Sequence, residues 1–188
     1  FFCANSMNEL AKRAGLYLID IRKTPIHGNS YMFVFSKVPG DTTKVDAFLQ
    51  DERNAGLNTP ATYVEYAAKA KKAVADLKEV IYAYRTEGFV VAGYGAAAKG
   101  MTLVNFGNIH LDFIIDDNPL KQGRFTPGTH DPVVGIEILE TIEPELNIAF
   151  IPLAWNFFTE IKNRIKTKRN QEGDAFVRYF PTINIDKE

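Results

Sequence analysis

The residues with the clearest chemical meaning lie between Gly93 and Asn156. Gly93-Tyr94-Gly95 ends an apolar run, Phe89-Val90-Val91-Ala92, and passes directly into the helix formers Ala96-Ala97-Ala98-Lys99. A strand, a tight turn and a helix start, in that order, expose backbone N–H groups at the positive end of a helix. Such a turn suits a phosphate or another anion. Asp116 follows Gly95 by 21 residues, where a dinucleotide fold carries the acid that accepts from a ribose hydroxyl. The fingerprint is partial, because Ala98 stands where the third glycine would be. A glycine turn that only lets strand and helix pack closely is the alternative.

Three further groups have two readings each. In Lys121-Gln122-Gly123-Arg124-Phe125-Thr126-Pro127-Gly128-Thr129-His130, Lys121 and Arg124 could hold a diphosphate, Arg124 in bidentate fashion. A Pro-Gly surface turn with incidental charges, His130 among its turn residues, is the bland reading. Trp155 could stack on a base or sugar while Asn156 hydrogen-bonds one; equally, Trp155 packs and Asn156 caps a helix. His27, in His27-Gly28-Asn29-Ser30, is a possible chemical group or part of a structural turn. No Ser-His-Asp order, no metal-ligand cluster and no carboxylate pair with a partner base is legible. Asp116 and Asp117, adjacent at a strand end, should point to different sides.

The elements that must position these residues follow from periodicity. Asn5 or Ser6 can cap a short helix that Gly15 ends, with strands at 16–21 and 31–35 and a turn at Pro25–Asn29 between them. Val38-Pro39-Gly40-Asp41 reads as a linker, and 43–53 as a short helix. Thr59-Pro60 is a strong helix start. Tyr63, Tyr66, Ala70, Val74, Leu77, Ile81 and Tyr84 then form one apolar stripe up to Gly88. From 89 onward strand and helix alternate: strands at 89–92, 111–115, 133–134, 147–151 and 176–179, helices at 96–106 and after Asn156, and a helical turn at 136–140. Phe157, Ile161 and Ile165 share a face of the last helix. The cations from Lys162 to Arg169 suit its C-terminal end. The pattern predicts an α/β fold with a small, doubly wound parallel sheet.

Composition narrows the function. A net charge of −1 does not steer the whole chain toward nucleic acid or an anionic membrane, and no apolar run has the length to span a bilayer. The single cysteine, Cys3, forbids an internal disulfide, disfavours structural zinc and points to a reducing compartment, the cytoplasm. Phe1-Phe2-Cys3 begins abruptly and without Met, so a piece of a longer protein is expected.

Together, Tyr94-Gly95-Ala96-Ala97-Ala98-Lys99-Gly100, Asp116-Asp117-Asn118-Pro119, the Lys121–Thr129 run and Leu153-Ala154-Trp155-Asn156-Phe157 resemble the C-terminal domain of sugar C-methyltransferases. These enzymes use S-adenosylmethionine on nucleotide-activated keto sugars. The resemblance covers about 40–180, and the Lys121–Thr129 run is its most specific part. Residues 1–37 resemble the end of the preceding methyltransferase domain, with Asn29 where the family often has glycine. The resemblance implies a cysteine-rich zinc domain and most of an S-adenosylmethionine domain upstream. The acid/base His would fall just before Phe1, so no catalytic residue and no metal site are expected in this chain. In such an enzyme the base makes an enolate that attacks the donor methyl. The C-terminal domain would grip the nucleotide diphosphate and hold the sugar, with the rest of the methyltransferase chain as its partner.

The implied organisation is a methyltransferase remnant at 1–37, linker and helices at 38–88, and a Rossmann-like nucleotide-sugar-binding domain at 89–188. Candidate substrate-binding residues are Gly93, Tyr94, Gly95, Lys99, Asp116, Lys121, Arg124, Thr126, Trp155, Asn156 and His27, for a dTDP or UDP type of sugar. Alone, the fragment should bind weakly and not methylate. Two alternatives stay open: an NAD(P)-binding Rossmann module, and a structural module that dimerises through the Tyr63–Tyr84 stripe. A methyltransferase-type S-adenosylmethionine loop at Gly93-Tyr94-Gly95 is set aside, since only 93 residues follow Gly95.

Overall fold

A computed structural model describes residues 2–25 and 30–187. The chain divides into two compact units, Phe1–Ala68 and Lys69–Glu188. Among the described residues no helix is long and apolar enough to cross a membrane.

The first unit contains α1 (Ala4–Arg13), β1 (Tyr17–Thr24), β2 (Ser30–Ser36) and α2 (Thr43–Asn54). α1 starts before the expected Asn5 or Ser6 cap. Cys3 is the cap: its Sγ accepts from Ser6 N while Ser6 Oγ accepts from Cys3 N at 3.0 Å. Glu52 of α2 adds a carboxylate that accepts from Ala4 N and, at 2.8 Å, Asn5 N, which places a negative charge on the helix N-terminus. Gly15, at φ 68°, ends the helix. β1 and β2 pair antiparallel, with an irregularity between Leu18 and Asp20. The core is small: Ala4, Ala11, Leu18, Ile21 and Val45.

α3 (Pro60–Thr86) begins in the first unit and continues into the second. The apolar stripe is covered only at its C-terminal end. Leu77, Ile81 and Tyr84 are buried, whereas Tyr63 and Tyr66 are 54% and 71% exposed.

The second unit is an α/β fold of Rossmann-like type, as the alternation predicts. Its strands are β3 (Val90–Tyr94), β4 (Phe113–Ile115), β5 (Arg124–Phe125), β6 (Pro132–Val134), β7 (Ile148–Pro152), β8 (Ala175–Arg178) and β9 (Asn184–Lys187). They form one sheet in the order β5-β6-β4-β3-β7-β8-β9. β6, β4, β3, β7 and β8 are mutually parallel, and β5 and β9 close the edges antiparallel. Apart from Arg178 at the end of β8, the parallel strands carry no charged residue, because both faces are covered. On one face Val91, Ile114 and Ile151 pack with Leu77, Ile81 and Tyr84 of α3 and Val104 of α4 (Ala98–Gly107). On the other, Ala92, Tyr94, Phe113 and Phe150 pack with Phe158, Ile161 and Ile165 of α5 (Phe158–Lys168), and with a 3-10 turn at Ile136–Glu140.

Three details differ from the sequence reading. β5 and β9 are too short to show a period, so both escaped it. Phe158, not Phe157, is buried on α5, and Phe157 is 55% exposed. Asn156 does not cap that helix: it lies in a 3-10 turn, Trp155–Phe157, and Phe157 is the capping residue, without a side-chain bond. The 3-10 turn delays the helix start by one position, so Phe158 takes the inward place expected of Phe157 while Ile161 and Ile165 stay buried as expected.

Candidate functional site

β3 lies between β4 and β7, and the chain leaves β4 toward one edge of the sheet and β7 toward the other. The strand order reverses here, and ligands of open α/β sheets bind at the carboxyl ends of the strands beside such a point. The structure has a cleft there of about 310 Å³, lined by Tyr94, Gly95, Asp116, Asp117, Ala154, Phe157, Glu160, Ile161 and Arg164. That is at the small end of the range for ligand pockets.

Glycines allow close packing around the turn and, at Gly100, the close approach of α4 to the segment after β7. A Cβ on Gly93 would lie 2.9 Å from Leu111 Cδ1 and 3.2 Å from Leu153 Cδ1. Gly100 takes the packing role of a third fingerprint glycine, two residues after Ala98: a Cβ there would lie 2.8 Å from Leu153 Cβ. Gly95 has φ 96°, which only glycine adopts without strain.

Asp116 is turned inward and is 7% exposed. Its Oδ2 accepts from Ala96 N at 2.8 Å and from Lys121 Nζ at 2.9 Å, and its Oδ1 accepts from Asn118 N at 2.9 Å. Lys121 also donates to Ala96 O at 2.9 Å. Asp116 and Lys121 therefore fasten the glycine turn to the loop after β4. Asp117 points to the other side, as expected of its neighbour. Its Oδ1 accepts from Tyr94 Oη at 2.9 Å and lies 3.0 Å from the Arg164 guanidinium. Burial, reinforced by the Asp117 carboxylate, pushes the Tyr94 hydroxyl well above its ordinary pKa, so it remains a neutral donor.

The remaining sequence candidates are dispersed. Lys99 is exposed on the first turn of α4 and has no hydrogen bond or ion pair among the described residues. Arg124 is also exposed, on β5, three strands from β3. Thr126 is buried: its Oγ1 meets Thr129 Oγ1 at 2.9 Å and accepts from Asp131 N at 2.8 Å. Thr129 Oγ1 donates to Asp131 Oδ2, and Asn105 Nδ2 of α4 donates to Pro127 O. Gly128 faces Asn105 so closely that a Cβ would lie 1.7 Å from its Oδ1. Thr126, Pro127, Gly128 and Thr129 thus build a self-bonded turn clamped to α4. Trp155 is half-buried, its ring 4.6 Å from that of Phe180. Asn156 is exposed with no side-chain hydrogen bond among the described residues. The carbonyl of Leu153, just before this segment, accepts from Tyr179 Oη at 2.8 Å. His27 lies outside the described residues.

Gly93, Tyr94, Gly95, Asp116 and Lys121 come together at the carboxyl ends of β3 and β4, and Trp155 and Asn156 follow β7 at the same end. Arg124 and Thr126 do not join them. Asp117, Glu160 and Arg164 were missed as site residues. Arg164 reads in sequence as one more cation of a solvated helix end, and only its four-residue spacing from Glu160 hints at a shared face. Among the described residues no group of three or more His, Cys, Asp or Glu could hold a metal ion.

Comparison with known proteins gives the family. A family model described as the C-methyltransferase C-terminal domain matches residues 25–181. The C-methyltransferase NovU of Streptomyces niveus is 29% identical over 191 aligned positions, which cover 98% of this chain and 44% of that relative. The chain thus spans less than half the length of the curated relative it matches. With its Rossmann-like sheet, its switch-point cleft and a match over most of its length, this chain belongs to the C-methyltransferase C-terminal domain family.

Proposed function

We propose that this chain is the nucleotide-sugar-binding portion of an S-adenosylmethionine-dependent C-methyltransferase that acts on a dTDP- or UDP-linked keto-deoxysugar. The observation that carries the reading is the family match over residues 25–181. The switch-point cleft supports it, as the place where such a sheet receives a ligand. Lys99 and Arg124, both exposed and without a side-chain hydrogen bond or ion pair among the described residues, are the cations offered to phosphate. Trp155 and Asn156 border the same end of the sheet and contribute to the sugar or base.

The rest of the methyltransferase supplies the methyl donor and the base, and this chain alone does not methylate. Asp116, the acid at the end of β4 that a cofactor's ribose would use in a dinucleotide-type site, already holds three donors. S-adenosylmethionine therefore does not fit this turn, and we assign it to the part of the protein outside this chain. The same observation weakens the NAD(P) alternative. Residues 1–37 are read as the end of the methyl-donor domain, 38–88 as linker and helices and 89–188 as the binding domain. In support, β1 and β2 pair only with each other among the described residues, and a lone two-stranded sheet is marginal in water. One cysteine in the chain supports a reducing, cytoplasmic setting.

Calorimetric titration with dTDP and UDP tests the reading. Saturable binding is expected, weakened about tenfold in Lys99→Ala, the size of one charge-assisted hydrogen bond of ~1.5 kcal/mol. Arg124→Ala shows whether the edge strand shares in the grip. Silence toward both nucleotides at millimolar concentration would count against a nucleotide site.

A further inference from the structure

The glycine turn carries its own anion. Ala96 N follows the second glycine and is the amide that a pyrophosphate approaches in a dinucleotide fold. Here it donates to Asp116 Oδ2, which Lys121 also holds. Asp116 is buried, so a diphosphate at this amide would either displace a salt-bridged carboxylate or sit against a like charge.

The cleft beside the turn is no better suited to an anion. It carries Asp117 and Glu160 against one cation, Arg164, which already lies 3.0 Å from Asp117. It is well suited to hydroxyl groups. Asp117 makes its contacts through Oδ1, and neither Asp117 Oδ2 nor the Glu160 carboxylate accepts a hydrogen bond among the described residues. Tyr94 and Arg164 fix Asp117 in place, while Ala154, Phe157 and Ile161 give the cleft an apolar side against which the carbon face of a ring can lie.

Resting on the nucleotide-sugar reading above, we infer that this cleft receives an uncharged, hydroxyl-bearing ring, which donates its hydroxyls to Asp117 and Glu160. The diphosphate lies away from the glycine turn. The ring is the pentose of the nucleoside or the hexose of the sugar: a hexose or a ribose has hydroxyls for both carboxylates, and the deoxyribose of dTDP, with its single free hydroxyl, serves one of them.

The test is calorimetry on the full chain with dTDP, UDP, dTDP-glucose and UDP-glucose, using the parent, Asp117→Asn and Glu160→Gln. Circular dichroism first checks that each variant is folded. Each variant should weaken binding roughly tenfold, the loss of one hydrogen bond to a charged acceptor. Loss toward UDP in both variants and toward dTDP in at least one assigns the pentose to the cleft, and loss confined to the two sugar nucleotides assigns the hexose. Parent-like affinity in both folded variants would overturn the inference and leave the nucleotide-sugar reading standing. A parent silent toward all four would overturn both.

Discussion

The two units hold their sheets in different ways. The second covers both faces of its parallel strands with helices and buries Phe150, Phe176, Ile114 and Ile151 almost completely. The first has a two-stranded sheet and a core of five buried residues, so local devices count for more there: the Cys3–Ser6 capping box, the Glu52 carboxylate on α1, and the ion pairs of Asp20 with Arg22 and Lys44. A large core tolerates the loss of a surface contact and suffers from any error inside. A small one depends on its surface contacts.

The sharpest test is inside the second unit. Asp174 is 2% exposed; it accepts from Ile148 N at 2.8 Å and pairs with Arg169, itself 8% exposed, at 3.0 Å. Asp174→Ala leaves a buried guanidinium without its counter-ion, and we expect a loss of about 3–5 kcal/mol by urea denaturation. A loss below ~1 kcal/mol would break the contrast, since exposed pairs are worth about that much.

Gly93→Ala comes next. Its Cβ would lie within 3.2 Å of Leu111, Ile114 and Leu153. Overpacking of this kind costs about 1–3 kcal/mol, and the cleft should loosen with it. Both effects are readable in one titration of nucleotide against thermal stability.

In the first unit, Glu52→Ala removes the acceptor of Ala4 N and Asn5 N. About 1 kcal/mol is expected, comparable to loss of a helix cap. Hydrogen exchange should show faster opening of α1 with no change in β3 and β7. Equal change in both units would merge them into one cooperative block.

The smallest effects are in pH dependence, and they have opposite signs. Hydrogen bonds from Arg22, then Lys44, hold the Asp20 carboxyl at about 2, against an ordinary 3.8. A depressed folded pKa contributes stability above pH ~4, lost as pH falls toward 2. Burial pushes Tyr179 up to about 12, from an ordinary 10. That contribution is complete below pH 10 and is lost as pH rises through 12. Amides of β1 and β2 should lose protection first in acid, and those of β8 first in alkali.

The sheet was legible in the sequence because its parallel strands are short apolar runs and its helices have a clear period. The site was half legible. Gly93-Tyr94-Gly95 and Asp116 stand out by type and spacing, but spacing cannot show that Asp116 bonds Ala96 N, a contact made only when β3 and β4 pair. The Lys121–Thr129 run shows a related confusion. Its specificity looked chemical, yet much of it serves the turn on Thr126, Thr129 and Asp131. Arg164 was invisible for the reverse reason: helix-end cations are common, and only the fold turns one of them toward Asp117.

β5 and β9 have a further consequence. They place two-residue and four-residue antiparallel strands at the borders of the large sheet, so few open N–H and C=O pairs remain along either border. A passing chain finds almost no template to extend. Strands β1 and β2, of eight and seven residues, have no further neighbour among the described residues. Of the two sheets, the small one is the one built to grow.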